Sequence, residues 1–186
     1  MSTVTQLLKD GILASNSAIT AGATNTFAKT DGSGNLAFIG PKQPSVRVYN
    51  SAVQSILNTT YTSITFDSER WNTDAAGSMH STLTNTSRLT CQSAGIYEIF
   101  AHAGFDANAT GQRQATFLLN GTLYIGLVQE APISGSFTFM VEISTQYQLA
   151  VSDYVELQLY QSSGGALNNV VAGNYVGEFG MTRISS

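Results

Sequence analysis

The chain holds few side chains that could perform acid–base or nucleophilic chemistry. Its 186 residues include two histidines, His80 and His102, and one cysteine, Cys91. His80 lies in a segment rich in serine and threonine, and His102 continues the alternating apolar pattern of residues 96–101. Cys91 has no adjacent basic residue that would lower the pKa of its thiol. We therefore expect two structural histidines and a packed thiol, and no catalytic residue.

Carboxylates are concentrated in one short segment. Asp67, Glu69 and Asp74 flank Trp71, and their oxygens are of the kind that calcium prefers. The spacing matches no EF-hand, and a solvated loop is the favoured interpretation, so we predict no metal ligands and no cofactor. A glycosidase needs two carboxylates at a defined separation, which a single loop does not readily supply. No nucleophile elbow or phosphate-binding glycine loop occurs either, and we expect no enzymatic activity.

The charge pattern argues against nucleic acid and membranes as partners. Charged residues make up 11% of the chain, where about 25% is usual. The net charge is −4, and the eight Lys and Arg residues are scattered, so no basic patch forms to bind phosphates. No apolar run approaches the ~20 residues of a membrane-spanning helix. No export signal is recognisable at the N-terminus, and we expect neither membrane insertion nor conventional secretion.

The prolines of the segment Gly40–Pro44 divide the chain into two parts, because two prolines so close together interrupt regular structure. We predict an N-terminal anchoring arm and connector over residues 1–43 and a head domain over residues 44–186. In the arm, apolar residues at helical spacing predict a short amphipathic helix, and two short strands follow around a glycine-rich turn. The candidate anchoring residues of this arm are Val4, Leu7, Leu8, Ile12, Phe27 and Phe38.

After Pro44 the apolar residues recur with the period of two that is typical of β-strands. Val155, Leu157 and Leu159, for example, alternate with polar or aromatic neighbours. Asn120-Gly121 stands between two apolar runs, which predicts a hairpin with a type I′ turn. Helices should be scarce in this part of the chain. The pattern predicts an antiparallel β-sandwich.

The segment Thr86–Phe100 specifies the kind of sandwich more narrowly. It reads T-x-R-hydrophobe-T-C, then a short turn, then G-x-Y, and it resembles the core signature of the complement component 1q and tumour necrosis factor-like jelly rolls. Residues 149–157 resemble the family's L-x-x-G-D-x-V-x-L motif, with Ser152 in place of glycine, which implies a turn without positive φ there. The predicted fold class is thus all-β: an antiparallel jelly-roll sandwich with a short, mostly extended N-terminal arm that carries a short helix.

The resemblance implies a homotrimer, because domains of this family work as trimers. A surface so poor in charge would be partly covered between symmetric copies. Aromatic residues of the G-x-Y strand and the closing strands are the candidates for the trimer interface, and packing inside each protomer is the alternative for every one of them. These candidates are Tyr97, Phe100, Tyr160, Tyr175 and Phe179.

Residues 30–38 read T-D-G-S-G-N-L-A-F and resemble short linking repeats of bacteriophage fibre and head-appendage proteins. Arm and head together then predict a non-enzymatic phage structural protein at the virion surface, assembled in the host cytoplasm. In the first version it is a trimeric capsid decoration or cement protein, whose arm binds the major capsid protein or another virion component. In the alternative it is a tail fibre or spike head that recognises a host surface glycan or protein.

Overall fold

The computed structural model describes residues 27–30, 36–39, 43–132 and 136–186. Its contacts divide the chain into a unit of residues 1–42 and a unit of residues 43–186. In the first unit, β1 (Phe27–Thr30) pairs antiparallel with β2 (Leu36–Ile39), as the sequence predicted. The predicted helix through Val4, Leu7, Leu8 and Ile12 lies outside the described residues.

The second unit consists of two antiparallel sheets, which we call sheet I and sheet II. Sheet I has the order β11-β8-β14-β3-β6, and sheet II the order β10-β9-β12-β5, with β7 also paired to β12. The strands of sheet I are β3 (Ser45–Tyr49), β6 (Ser68–Asn72), β8 (Gly95–Phe105), β11 (Phe139–Leu149) and β14 (Glu178–Ser185). Those of sheet II are β5 (Thr62–Ser63), β7 (Arg88–Thr90), β9 (Arg113–Leu119), β10 (Leu123–Glu130) and β12 (Tyr154–Gln161). A small pair is formed by β4 (Ser55–Ile56) and β13 (Leu167–Asn168).

The hydrophobic core lies between the two sheets. Side chains alternate across a strand, so one set of every second residue faces inward. Val155, Leu157 and Leu159 of β12 are fully buried in this way. At the centre, the ring of Phe179 lies 5.5 Å from that of Phe66 and 5.7 Å from that of Phe117, measured between centroids. The predicted all-β sandwich is confirmed, and no described residue belongs to a helix that could span a membrane.

Two neighbouring turns fix how β9, β10, β11 and β12 connect. Asn120 and Gly121 have φ values of 51° and 71°, as the predicted type I′ turn requires. The amide nitrogen of Asn120 donates to Asp153 Oδ1 over 2.8 Å, and its oxygen accepts from the Tyr154 backbone over 2.9 Å. The hairpin is therefore bonded directly to the turn that precedes β12.

Ser152 corrects one sequence expectation. Its φ is +74°, although a serine at this position implied a turn without positive φ. The physical reason lies in its backbone bonds: the Ser152 N–H donates to the carbonyl of Cys91 over 2.9 Å, and the next N–H, of Asp153, donates to Ala150 over 3.1 Å. These bonds hold Ser152 in the left-handed region, which a non-glycine residue enters only at an energetic cost.

Candidate functional site

Two of the side chains with catalytic chemistry, His80 and Cys91, form structural contacts, whereas His102 is half-buried on β8 with its ring 6.2 Å from that of Phe100. His80 is buried; its Nδ1 lies 3.0 Å from Glu69 Oε1 and its Nε2 lies 3.3 Å from the carbonyl of Thr86. Cys91 is also buried, with Sγ 3.2 Å from the carbonyl of Ser93, and burial raises the pKa of its thiol. Cys91 and His80 thus both bond to other groups inside the protein.

The carboxylates of the segment 67–74 turn to separate neighbours. Asp67 accepts hydrogen bonds from the backbone N–H and the hydroxyl of Ser51 over 3.0 and 2.6 Å, and the hydroxyl bond is the main cause that lowers the pKa of Asp67. Asp74 accepts from the Ser93 hydroxyl over 2.9 Å. Over the described ranges, no group of three or more His, Cys, Asp or Glu side chains is placed to hold a metal ion.

The outer face of sheet I holds a buried ion network that sequence reasoning missed. Glu178 is fully buried, with Oε2 2.9 Å from Arg47 Nε and Oε1 2.8 Å from Arg70 Nη2. The Arg70 guanidinium lies 3.8 Å above the centre of the Tyr49 ring. A signal was available, because Arg47 and Tyr49 alternate with the core residues of β3 and so had to point outward.

Apolar side chains lie beside this network on the same face. The half-buried ring of Phe100 covers Gly180, where an added Cβ would come within 2.5 Å of the ring. Only glycine lets the ring lie this close to β14. The guanidinium of Arg47 is 5.9 Å from the Phe100 centroid and 5.7 Å from that of Trp71. Four large apolar side chains of sheet I strands are exposed, namely Trp71, Ile96, Met140 and Ile184.

The outer face of sheet II carries three clustered tyrosines, which we call the tyrosine platform: Tyr61, Tyr124 and Tyr160. The Tyr61 ring lies 5.0 Å from that of Tyr160 and 5.9 Å from that of Tyr124, tilted by 40° to each. The Tyr61 hydroxyl donates to Gln114 Oε1 over 2.6 Å, and Gln114 Nε2 donates to Gln129 Oε1 over 2.8 Å. Burial is the largest cause that raises the pKa of Tyr61.

The five candidates for the trimer interface do not share one surface. Tyr97 and Phe179 are fully buried in the core of the protomer, which corrects their assignment, because neither has surface left to offer a second copy. Phe100 lies on the outer face of sheet I, Tyr160 belongs to the tyrosine platform, and Tyr175 is exposed in the loop before β14. Of the anchoring candidates, Phe27 and Phe38 are placed only as backbone positions in β1 and β2.

Comparison with known proteins defines the class of fold. No family model matches the chain, and no curated protein matches it. Among solved structures, the globular domain of zebrafish complement 1qA is 14% identical with a TM-score of 0.51, and covers 76% of this chain and 98% of its own. Murine APRIL at pH 5.0 is 10% identical, with a TM-score of 0.56 and coverage of 77% and 100%. The Eiger TNF of S. frugiperda is 10% identical, with a TM-score of 0.58 and coverage of 77% and 94%. The chain has the jelly-roll fold of complement 1q and tumour necrosis factor domains, as its signature segment predicted.

Proposed function

We propose that the head, residues 43–186, is a non-enzymatic structural module that assembles as a homotrimer through the outer face of sheet I. The observation that carries this proposal is the apolar surface around Phe100 on that face. A protomer on its own would also leave Trp71 in water on this face, across Arg47 from Phe100. Ile96 and Met140 are exposed further along the same face, Ile96 four residues before Phe100 on β8 and Met140 opposite Gly104. Burying these apolar side chains between copies would stabilise an assembly. The family that the sequence resembles works as trimers, which gives the same expectation.

Sedimentation equilibrium at micromolar concentration tests the trimer. We expect a mass three times the 19.7 kDa of the chain. Phe100→Glu should dissociate the trimer, because it replaces an apolar contact with a charge that loses its solvation when the face is covered. Leu127→Glu, the same charge at an exposed site on sheet II, should stay trimeric. A single protomer in the unmodified protein would overturn the proposal, as would a Phe100→Glu variant of unchanged mass and normal circular dichroism.

The wider role that we propose is capsid decoration at the virion surface, with the arm bound to the major capsid protein or another virion component. Its support is the resemblance of residues 30–38 to phage linking repeats and the division of the chain into an arm and a head. Immunogold labelling of intact particles tests it: many copies across the capsid support decoration, and a few copies at the tail support the alternative, a head that binds host surfaces. Label absent from both places would exclude the two versions together.

The absence of enzymatic activity is part of the same proposal. The contacts of His80 and Cys91 support it, because both side chains are buried and bonded internally. Host polysaccharide incubated with the purified protein should yield no new reducing ends. Their release, at a rate proportional to protein concentration, would identify a glycosidase instead.

A further inference from the structure

We propose that the tyrosine platform is a binding site for a neutral oligosaccharide. The proposal rests on the alternative function above, recognition of a host surface, and it names the surface region and the chemical class of the ligand. It does not depend on the capsid or tail location, nor on the trimer, because the platform lies on the outer face of sheet II and the proposed contact lies on sheet I.

The platform is built from separate strands of one sheet. Tyr124 is on β10, opposite Leu118 of β9; Tyr160 is on β12, opposite Gln114 of β9; and Tyr61 directly precedes β5. Tyr61 and Tyr124 expose 38% and 51% of their surface. Neighbouring rings are tilted by 40° to each other.

The rings suit the apolar side of a sugar. A pyranose presents C–H groups on its faces, and these pack against the electron-rich face of an aromatic ring. The ring separations of 5.0 and 5.9 Å are comparable to the spacing of neighbouring sugar rings in a linear oligosaccharide. Two neighbouring sugars can therefore each contact a different tyrosine at the same time.

Polar groups on the same face have unused hydrogen-bonding capacity for sugar hydroxyls. In the part of the chain that the structure describes, the hydroxyls of Tyr124 and Tyr160 form no hydrogen bond within the protein. Two cross-strand neighbours, Thr116 and Gln158, each leave a buried oxygen without a partner, Oγ1 and Oε1 respectively. Both oxygens are closed off from solvent, so the hydroxyls of Tyr124 and Tyr160 are the groups that a sugar hydroxyl can reach.

The platform carries no charge, and this favours a neutral ligand. Its three tyrosines and the amides of Gln114, Gln129 and Gln158 carry no charge. The nearest cation on this face, Arg88, lies 3.9 Å above the Tyr154 ring and 3.7 Å from Glu156, so it is already engaged. Sialylated or sulfated chains would find no free positive partner here, whereas hydroxyl groups find both donors and acceptors.

A glycan array, followed by calorimetry, tests the site on the full-length protein. The probes are neutral tetra- to hexasaccharides of glucose, galactose, mannose and N-acetylglucosamine, with sialylated and sulfated chains for comparison. We expect binding to at least one neutral probe, weakened about tenfold or more in Tyr124→Ala and in Tyr160→Ala, since each loses a stacking ring. Tyr160→Phe keeps its ring and should lose less affinity than Tyr160→Ala.

Tyr175→Ala is the matched control, since Tyr175 is an exposed tyrosine outside the platform, and its affinity should not change. Each variant is first compared with the unmodified protein by thermal melting and sedimentation, so that a loss of folding or assembly is separated from a loss of the site. No binding to any neutral probe, preference for the anionic chains, or equal affinity in folded Tyr124→Ala would overturn the proposal. A monomeric protein that still binds would reject only the proposed trimer.

Discussion

At the scale of single residues, Glu178 is the buried carboxylate that joins two arginines of the head in one ion network. It is fully buried, and its two oxygens bind two guanidiniums that are each about a quarter exposed, at 24% and 26%. Glu178→Gln leaves one arginine without its partner. Breaking a buried pair costs several kcal/mol, and solvent at the arginines reduces this, so we expect a loss of about 2 kcal/mol in the free energy of unfolding.

Chemical denaturation measures this loss, and Glu142→Gln is the matched control. Glu142 is exposed on β11 of the same sheet, and its neutralisation should change the free energy of unfolding by no more than about 0.5 kcal/mol. Equal stabilities for the two variants would mean that solvent screens the network completely.

Cys91 gives a prediction about pH. Burial raises the pKa of its thiol from the ordinary 9.0, and burial also raises the pKa of the Tyr97 hydroxyl, which donates to Ser93. Both groups are held neutral in the fold but ionise more readily when unfolded. Their contribution to stability is therefore complete below about pH 9 and is lost as the pH rises through the folded pKa values.

Denaturant titrations at pH 8 and pH 10.5 should show a lower free energy of unfolding at the higher pH. A thiol reagent should modify the folded protein more slowly than the unfolded chain at pH 8, because Cys91 is buried and its raised pKa leaves less of the reactive thiolate. Rapid stoichiometric labelling of the folded protein would contradict the buried position of Cys91.

At the scale of elements, the turn before β12 contains a correctable strain. Ser152 has a φ of +74°, a conformation that costs a non-glycine residue about 1–2 kcal/mol. Ser152→Gly removes this cost but makes the unfolded chain more flexible. We expect a net gain of about 0.5 kcal/mol in the free energy of unfolding, measured by urea titration.

Ser55→Gly, at an exposed and extended position of β4, is the control and should lower stability by about 0.5–1 kcal/mol. A loss of stability in both variants would show that Ser152 is not strained.

The elements were predictable from sequence where local rules determine them. Asn120-Gly121 forms its turn because few other residues accept two positive φ values in succession, and β12 shows its alternation because one face is buried. Ser152 was not predictable, because bonds to residues distant in sequence override its own preference. The strand predicted from the alternation of Thr62, Ile64 and Phe66 was correct only in part. Ile64 and Phe66 are buried as the alternation indicated, but the paired strand β5 ends at Ser63.

The candidate sites were less predictable than the fold, for a physical reason. Tyr97 lies in the core, although it was predicted to be an interface residue. The alternation of β8 puts Tyr97 on one face with Ile99 and Ala101 and puts Phe100 on the other, so the two aromatic residues could not both lie at one interface. The resemblance to a trimeric family indicated the strand but not which of its faces meets a second copy. The tyrosine platform joins Tyr61, Tyr124 and Tyr160, which are far apart in the chain and meet only through strand pairing.

At the scale of the whole molecule, the chain divides near Lys42 into two compact units, and the proposed attachment function belongs to the first of them. Residues 43–186 contain both sheets and the complete described core. Deleting residues 1–40 should leave the melting transition and the number of protomers in the assembly, measured by sedimentation, nearly unchanged. It should abolish binding to virus particles, as measured by co-sedimentation with particles that lack the protein. Undiminished binding of the shortened protein would reject the anchoring role of the arm.

The pairing of β3 with β14 brings the two ends of the head together: Ser45 lies opposite Thr182, and the Arg183 N–H donates to the carbonyl of Pro44 over 2.9 Å. A reporter fused behind Ser186 would emerge beside the chain entering from the connector.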